Sequence, residues 1–143
     1  MCSALFTGDA ESGESNARRF MLESDLVEAI IQLPENIFYN AGITTYIWVL
    51  SNRKEERRKG KIQLINATHY FEKMDKPLGK KRKQLSKKQI QDLTKTYLDF
   101  KESKNSLIFR NEEFGYKQIN IFEPLFHETN NIVKDARGKV LPN

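Results

Sequence analysis

VEAIIQLPENIFYNAGITTYIWVLSN, residues 27–52, is the densest apolar stretch of the chain, and its reading decides the fold. It divides into an Ile-rich run at 26–33, a polar loop at 34–42 that carries Phe38 and Tyr39, and a β-branched and aromatic run at 43–50. Runs of this length on either side of a Pro/Asn/Gly segment predict two strands joined by a connection of about nine residues. The first run does not alternate. Continuous Val/Ile/Leu burial suits a strand covered on both faces, so both runs are expected to be interior strands of a helix-flanked sheet rather than one face of an open hairpin. Phe38 and Tyr39 are neighbours and cannot point the same way in extended chain. One is expected to anchor the loop in the core and the other to be presented; packing alone is the plainer reading of both.

Upstream, residues 1–13 read as a loop, and a helix follows. Ser12 is its N-cap, Glu14 sits in the first turn, and Ala17, Phe20, Met21 and Leu22 give apolar positions at helical spacing toward Glu23. The resulting helix-strand-loop-strand order is that of an α/β fold. Downstream, NRKEERRKGK at 52–61 has six positive and two negative side chains and reads as a solvated turn, reversed at Gly60. KIQLINA at 61–67 reads as an edge strand, paired by a hairpin with 43–50.

From residue 68 the character shifts. His69, Tyr70 and Phe71 suit a short helical piece that Pro77 and Gly79 break, and Lys80, Lys81, Arg82, Lys83, Lys87 and Lys88 form the strongest basic cluster. Such a density could neutralise several phosphates, or could be a solvated face. Ser86 with Gln89 makes a capping box for an amphipathic helix whose Ile90, Leu93, Tyr97 and Phe100 share one face, packing on the sheet or on a partner subunit. Strands are expected at 106–109 and 116–122, forming a hairpin about the turn at 111–115. Residues 128–143 read as a poorly packed polar tail.

The 143 residues suffice for one ordinary domain with its own core, and the net charge of +5 suits an anionic partner without saying which. A single cysteine, Cys2, excludes a disulfide framework and a cysteine-based zinc site within the chain, which fits a reducing cytosol. His69 and His127 are far apart and lie in no metal-binding pattern, so no metal is expected. No apolar run reaches membrane-spanning length and the first residues lack an export signal. A soluble, cytoplasmic protein is expected.

Several separated blocks carry a resemblance: FTGDAESGESNARRFMLESDLVEAIIQLP at 6–34, LPENIFYNAGITTYIWVLSNRK at 33–54, KGKIQLINA at 59–67 and PLGKKRK at 77–83. In order and spacing they resemble the methylation (modification) subunit of type I restriction-modification systems, a family of adenine-specific DNA methyltransferases. The resemblance covers most of the chain to about Lys83 and runs more loosely to Leu125. It implies the C-terminal portion of a Rossmann-like, S-adenosylmethionine-dependent methyltransferase sheet, followed by a helix and a β-hairpin. In that family an aromatic residue in the loop before the last strand pair stacks on the target adenine once it has left the duplex; spacing to the following strand puts Phe38 there, with Tyr39 as the alternative. Lys80, Lys81, Arg82 and Lys83 become candidate DNA-backbone contacts. The implied partners are DNA, a specificity subunit, a second modification subunit and a restriction subunit.

Two motifs of that family are missing from the sequence. The glycine-rich turn that holds S-adenosylmethionine is absent, and so is the Asn/Asp-Pro-Pro-aromatic motif that holds the adenine amino group: no two prolines are adjacent, and Gly8 and Gly13 follow no strand. The chain is therefore expected to be a fragment with no catalytic residues and no cofactor site of its own, inactive alone. Residues 1–67 would be the C-terminal part of the catalytic domain, 68–125 a basic segment with a helix and hairpin, and 126–143 the tail. A small basic nucleic-acid-binding or adaptor protein without catalytic activity is the competing reading.

Overall fold

The computed structural model describes residues 12–115, 121 and 132–140. Helix α1 (Gly13–Glu23) begins where Ser12 accepts a hydrogen bond from the Ser15 amide at 3.2 Å, the expected N-cap. Strand β1 (Val27–Gln32) follows directly and is the densest part of the core: Val27, Ala29 and Ile31 are buried. Strand β2 (Tyr46–Leu50) returns antiparallel to it, and β3 (Lys61–Asn66) runs parallel on its other side. A two-stranded ribbon of β4 (Glu72–Leu78) and β5 (Lys81–Gln84) leads into helix α2 (Lys87–Asp99), and β6 (Ser106–Arg110) completes the main sheet in the order β2-β1-β3-β6. The architecture is α/β, with α2 on one face of a mixed sheet.

The central strands bury one face against α2. Ile31 and Ile65 pair across β1 and β3 and join Leu33, Ile37, Ala67 and the helix residue Leu93 in one buried cluster. Ser86 and Gln89 form the full capping box, which starts α2 so that Leu93 and Tyr97 lie over the sheet.

Four expectations are corrected. The two apolar runs do form a hairpin, and β2 is an edge strand among the described residues, with Ile47 and Leu50 exposed; only β1 is interior. Strand β3 is not an edge and does not pair with β2, because its buried Ile62, Gln63 and Ile65 need neighbours on both sides and find them in β1 and β6. Residues 72–78 are a strand, with Pro77 tolerated because the ribbon leaves one side of the strand unpaired. The fourth concerns the charged segment 52–61, which is mostly exposed and turns at Gly60 as expected but is not wholly solvated: Arg58 is 1% exposed and Lys54 is buried. The strand expected at 116–122 and most of the expected tail lie outside the described residues. Within 132–140 a single bridge joins Lys134 to Val140.

Arg58 closes α2. Its guanidinium pairs with Glu28 at 3.3 Å, donates to the Gln63 side chain and to the Tyr97 carbonyl, and lies 4.4 and 4.3 Å from the ring centres of Tyr97 and Phe100. Arg57 donates to the carbonyls of Leu98 and Asp99, and Gln63 donates to that of Thr96 and to Ser106. The last four carbonyls of the helix, which have no partner within it, are thus all satisfied by one short 3-10 turn (Glu56–Arg58) and one strand residue.

A second polar node ties the start of the sheet together. Asp25, in left-handed backbone (φ 52), accepts from Lys54 at 2.6 Å, from the Gly60 amide at 3.0 Å and from Asn111 at 2.7 Å. Partial burial would raise its pKa, but the hydrogen bonds from Lys54, Gly60 and Asn111 outweigh it and the carboxyl titrates below its ordinary value.

Two outcomes follow. Arg58→Ala leaves Glu28 as an uncompensated buried charge and is expected to destabilise the fold by about 3–5 kcal/mol in urea unfolding. A lowered Asp25 pKa means stability that is fully present above the ordinary value of 3.8 and is lost as pH falls through the lower folded value. Thermal melts between pH 5 and pH 2 (roughly the window in which a depressed carboxylate protonates) should therefore show a smaller pH dependence for Asp25→Asn than for the parent chain.

Candidate nucleic-acid interface

The loop at 34–42 is fixed from within by Pro34, fully buried, and by Ile37, which is 7% exposed and part of the core cluster. The Leu33 amide donates to the Thr45 carbonyl at 2.8 Å and carries the β1-β2 ladder to the mouth of the loop. Beyond it the chain turns sharply: the Ala41 amide donates to the Phe38 carbonyl, and Asn40 at the third position has φ 56. Asn36 is also left-handed, at φ 59. Asparagine tolerates this backbone better than most residues, which explains both positions.

Phe38 and Tyr39 stand at the tip, 50% and 68% exposed. The expectation that one of them anchors the loop is corrected: Ile37 does so, and both rings are left facing solvent. The alternation argument failed because residues 38–41 form a tight turn and not an extended strand.

The basic residues are brought to the same place. In the β4-β5 ribbon Lys73 pairs with Lys83 and Leu78 with Lys81, and the turn between them uses Gly79 at φ 59. The ribbon docks on the loop by its backbone: the amides of Arg82 and Lys83 both donate to the Asn36 carbonyl, at 3.0 and 3.2 Å. Lys80 and Arg82 are exposed, Lys81 and Lys83 half-buried, and the Lys83 ammonium sits 4.0 Å from the centre of the Phe71 ring. Lys87 and Lys88 continue the basic surface in the first turn of α2, at the end of a helix that favours anions. The loop and the ribbon, separated by some forty positions in sequence, thus lie side by side, with Gly79 against Tyr39 and the Lys80 side chain beside Gly42.

Other candidates do not converge on a site. His69 stacks on Tyr70, and His127 and Cys2 lie outside the described residues. Among the described residues no cluster could hold a metal ion. No helix there is long and apolar enough to cross a membrane. A hollow of about 220 Å³ lined by Ile30, Gln32, Leu64, Asn66, Lys104 and Leu107 opens on the sheet face away from α2, with no pair of titratable groups positioned for chemistry. Neither described parallel strand runs into a glycine-rich turn that opens a helix: β1 leads into the Pro34 loop and β3 toward β4.

The sequence profile of the N-6 DNA methylase family matches residues 2–122. The chain belongs to the N-6 DNA methylase family. It is 39% identical over 99 residues to the type I restriction enzyme MjaVIII methylase subunit of Methanocaldococcus jannaschii, covering 69% of this chain and 16% of that protein. Against the MpnII methylase subunit of Mycoplasma pneumoniae it is 32% identical over 95 residues, 66% of this chain and 16% of the relative. A crystal structure of the methyltransferase subunit of a type I restriction-modification system from Streptococcus thermophilus superposes with a TM-score of 0.62 at 27% identity, over 77% of this chain and 21% of that one. The N-6 DNA methylase chain described here thus spans a minor part of the length of the proteins it matches.

Sequence reasoning missed the buried Arg58 and the docking of the ribbon. Glu28 was the available signal for the first, since a carboxylate inside an apolar strand needs a cation. Ile37→Ala is expected to cost about 2–5 kcal/mol in chemical unfolding, as for other truncations of buried aliphatic side chains, and to make the 34–42 segment the first site of limited proteolysis.

Proposed function

We propose that this chain forms part of the modification subunit of a type I restriction-modification system, and that the whole enzyme transfers a methyl group from S-adenosylmethionine to the exocyclic amino group of adenine in DNA. Its residues would supply the target-base platform and part of the DNA-facing surface. The groups that bind the cofactor and hold the adenine amino group belong to other parts of the enzyme, so the chain alone is expected to be inactive. In this reading 1–67 is the C-terminal part of the catalytic domain, 68–125 a basic segment with an amphipathic helix and a hairpin, and 126–143 a tail. DNA, a specificity subunit, a second modification subunit and a restriction subunit are the partners, in the cytoplasm.

One observation carries the reading: the aromatic turn and the basic ribbon, distant in sequence, share one surface. An adenine turned out of the duplex loses its stacking neighbours and needs a π-face in their place. It also leaves a distorted backbone whose phosphates need cations close by. Phe38 provides the face, with Tyr39 beside it as the alternative, and Lys80, Lys81, Arg82 and Lys83 provide the cations.

Phe38→Ala in the assembled enzyme should lose roughly 1–3 kcal/mol of stacking, seen as weaker methylation with cofactor binding intact and as brighter emission from a fluorescent adenine analogue at the target position. Phe38→Trp should be better tolerated. If Tyr39→Ala has the strong phenotype instead, Tyr39 is the platform, and silence of both variants would end the stacking reading. Replacing Lys80, Lys81, Arg82 and Lys83 together by Ala should weaken binding to all DNA sequences about equally and flatten the plot of log affinity against log salt; an unchanged slope would remove them from the backbone contacts.

A further inference from the structure

We propose that Gly79 is a positioning residue for the aromatic turn, holding Tyr39 and Asn40, and through them Phe38, in the pose that receives the base. The inference rests on the reading of Phe38 as a base platform and adds a residue that neither stacks on the base nor carries charge.

Half-exposed rings have little packing of their own to orient them, whereas a stacking platform must keep a fixed place: a displacement of about 1 Å can cost on the order of a hundredfold in rate. The turn at 38–41 is held from the inside by Ile37. On its outside stands the ribbon turn. A methyl group placed on Gly79 would lie 2.8 Å from the Asn40 side-chain oxygen and 3.1 and 3.6 Å from two carbons of the Tyr39 ring. The first distance is shorter than real side-chain carbons come and the second is tight, so the ribbon turn is seated against the Asn40 side chain and the Tyr39 ring. Gly79 is also at φ 59, where an L side chain is strained, and it faces an Asn40 that is itself left-handed. Two tight turns from separate segments meet at their tips, where the backbone angle calls for glycine and any added carbon must displace the Asn40 and Tyr39 side chains. The paired hydrogen bonds of Arg82 and Lys83 to the Asn36 carbonyl hold the ribbon at this distance.

The test uses the assembled methyltransferase and duplex DNA with a fluorescent adenine analogue at the target position. Gly79→Ala should displace the Asn40 side chain and the Tyr39 ring, lowering kcat by roughly tenfold to a hundredfold and raising the emission of the extruded analogue. The slope of log affinity against log salt should stay at the parent value, because every cation remains. Gly79→Asn adds the same carbon with a residue that tolerates left-handed backbone. It should behave like Gly79→Ala and is the variant to rely on if that one does not fold. Adding Asn40→Gly to Gly79→Ala removes the nearest obstructing atom and should restore part of both signals. Unchanged kcat and emission in folded Gly79 variants would overturn the proposal, as would a change in emission that comes with a flattened salt slope. If Phe38→Ala is impaired and the Gly79 variants are not, positioning fails and the stacking reading stands; if Phe38→Ala and Tyr39→Ala are both silent, the stacking reading itself fails.

Discussion

A guanidinium with almost no access to water is the constraint on which the rest of this structure depends. Arg58 cannot shed its charge, so everything around it is arranged to satisfy it: a carboxylate from β1, a side-chain amide from β3, a helix-end carbonyl and two aromatic faces from the end of α2. Together these groups come from three different elements. The helix is thereby set on the sheet at one angle and one distance, and Leu93 completes the cluster that contains Ile37. The chain of dependence runs from a buried cation, to the seat of α2, to the packing of Ile37, to the place of the aromatic turn.

The surface that results has a division of labour. Apolar burial fixes the base of the loop, while backbone hydrogen bonds and close contact fix its outer side. Phe38, Lys80 and Arg82 are left exposed, which is the condition a binding surface requires. Left-handed backbone at Asn36, Asn40 and Gly79 bends the two segments toward each other. Each of the three is a residue type that accepts this backbone readily, so the bends are made at little cost.

Much of this was legible in the sequence where the physics is local. The Ser12 cap, the Ser86 and Gln89 capping box and the apolar run of β1 each declare themselves within a few residues, and all are in place. The runs at 43–50 and 61–67 were read as strands, but their neighbours were not, because pairing order is decided by distant segments: β6 lies some forty residues beyond β3, and nothing near Ile62 announces it. The charged run at 52–61 misled for the same reason. Charge density predicts solvent, and only the tertiary meeting of Arg58 with Glu28, Tyr97 and Phe100 reverses that. The aromatic turn and the basic cluster were recognised separately, while their adjacency could be seen only once the ribbon was seen to fold back on the loop.

The ribbon's attachment through main-chain amides has a consequence for how such a surface can change over time. Asn36 receives Arg82 and Lys83 by their N–H groups, which every residue except proline possesses, so the docking is blind to what those side chains are. Substitutions on the ribbon can alter the number and pattern of charges while the aromatic turn stays where it is. Under the proposed function, grip on the nucleic-acid backbone and reception of the base then become separately adjustable traits, and drift in one need not disturb the other.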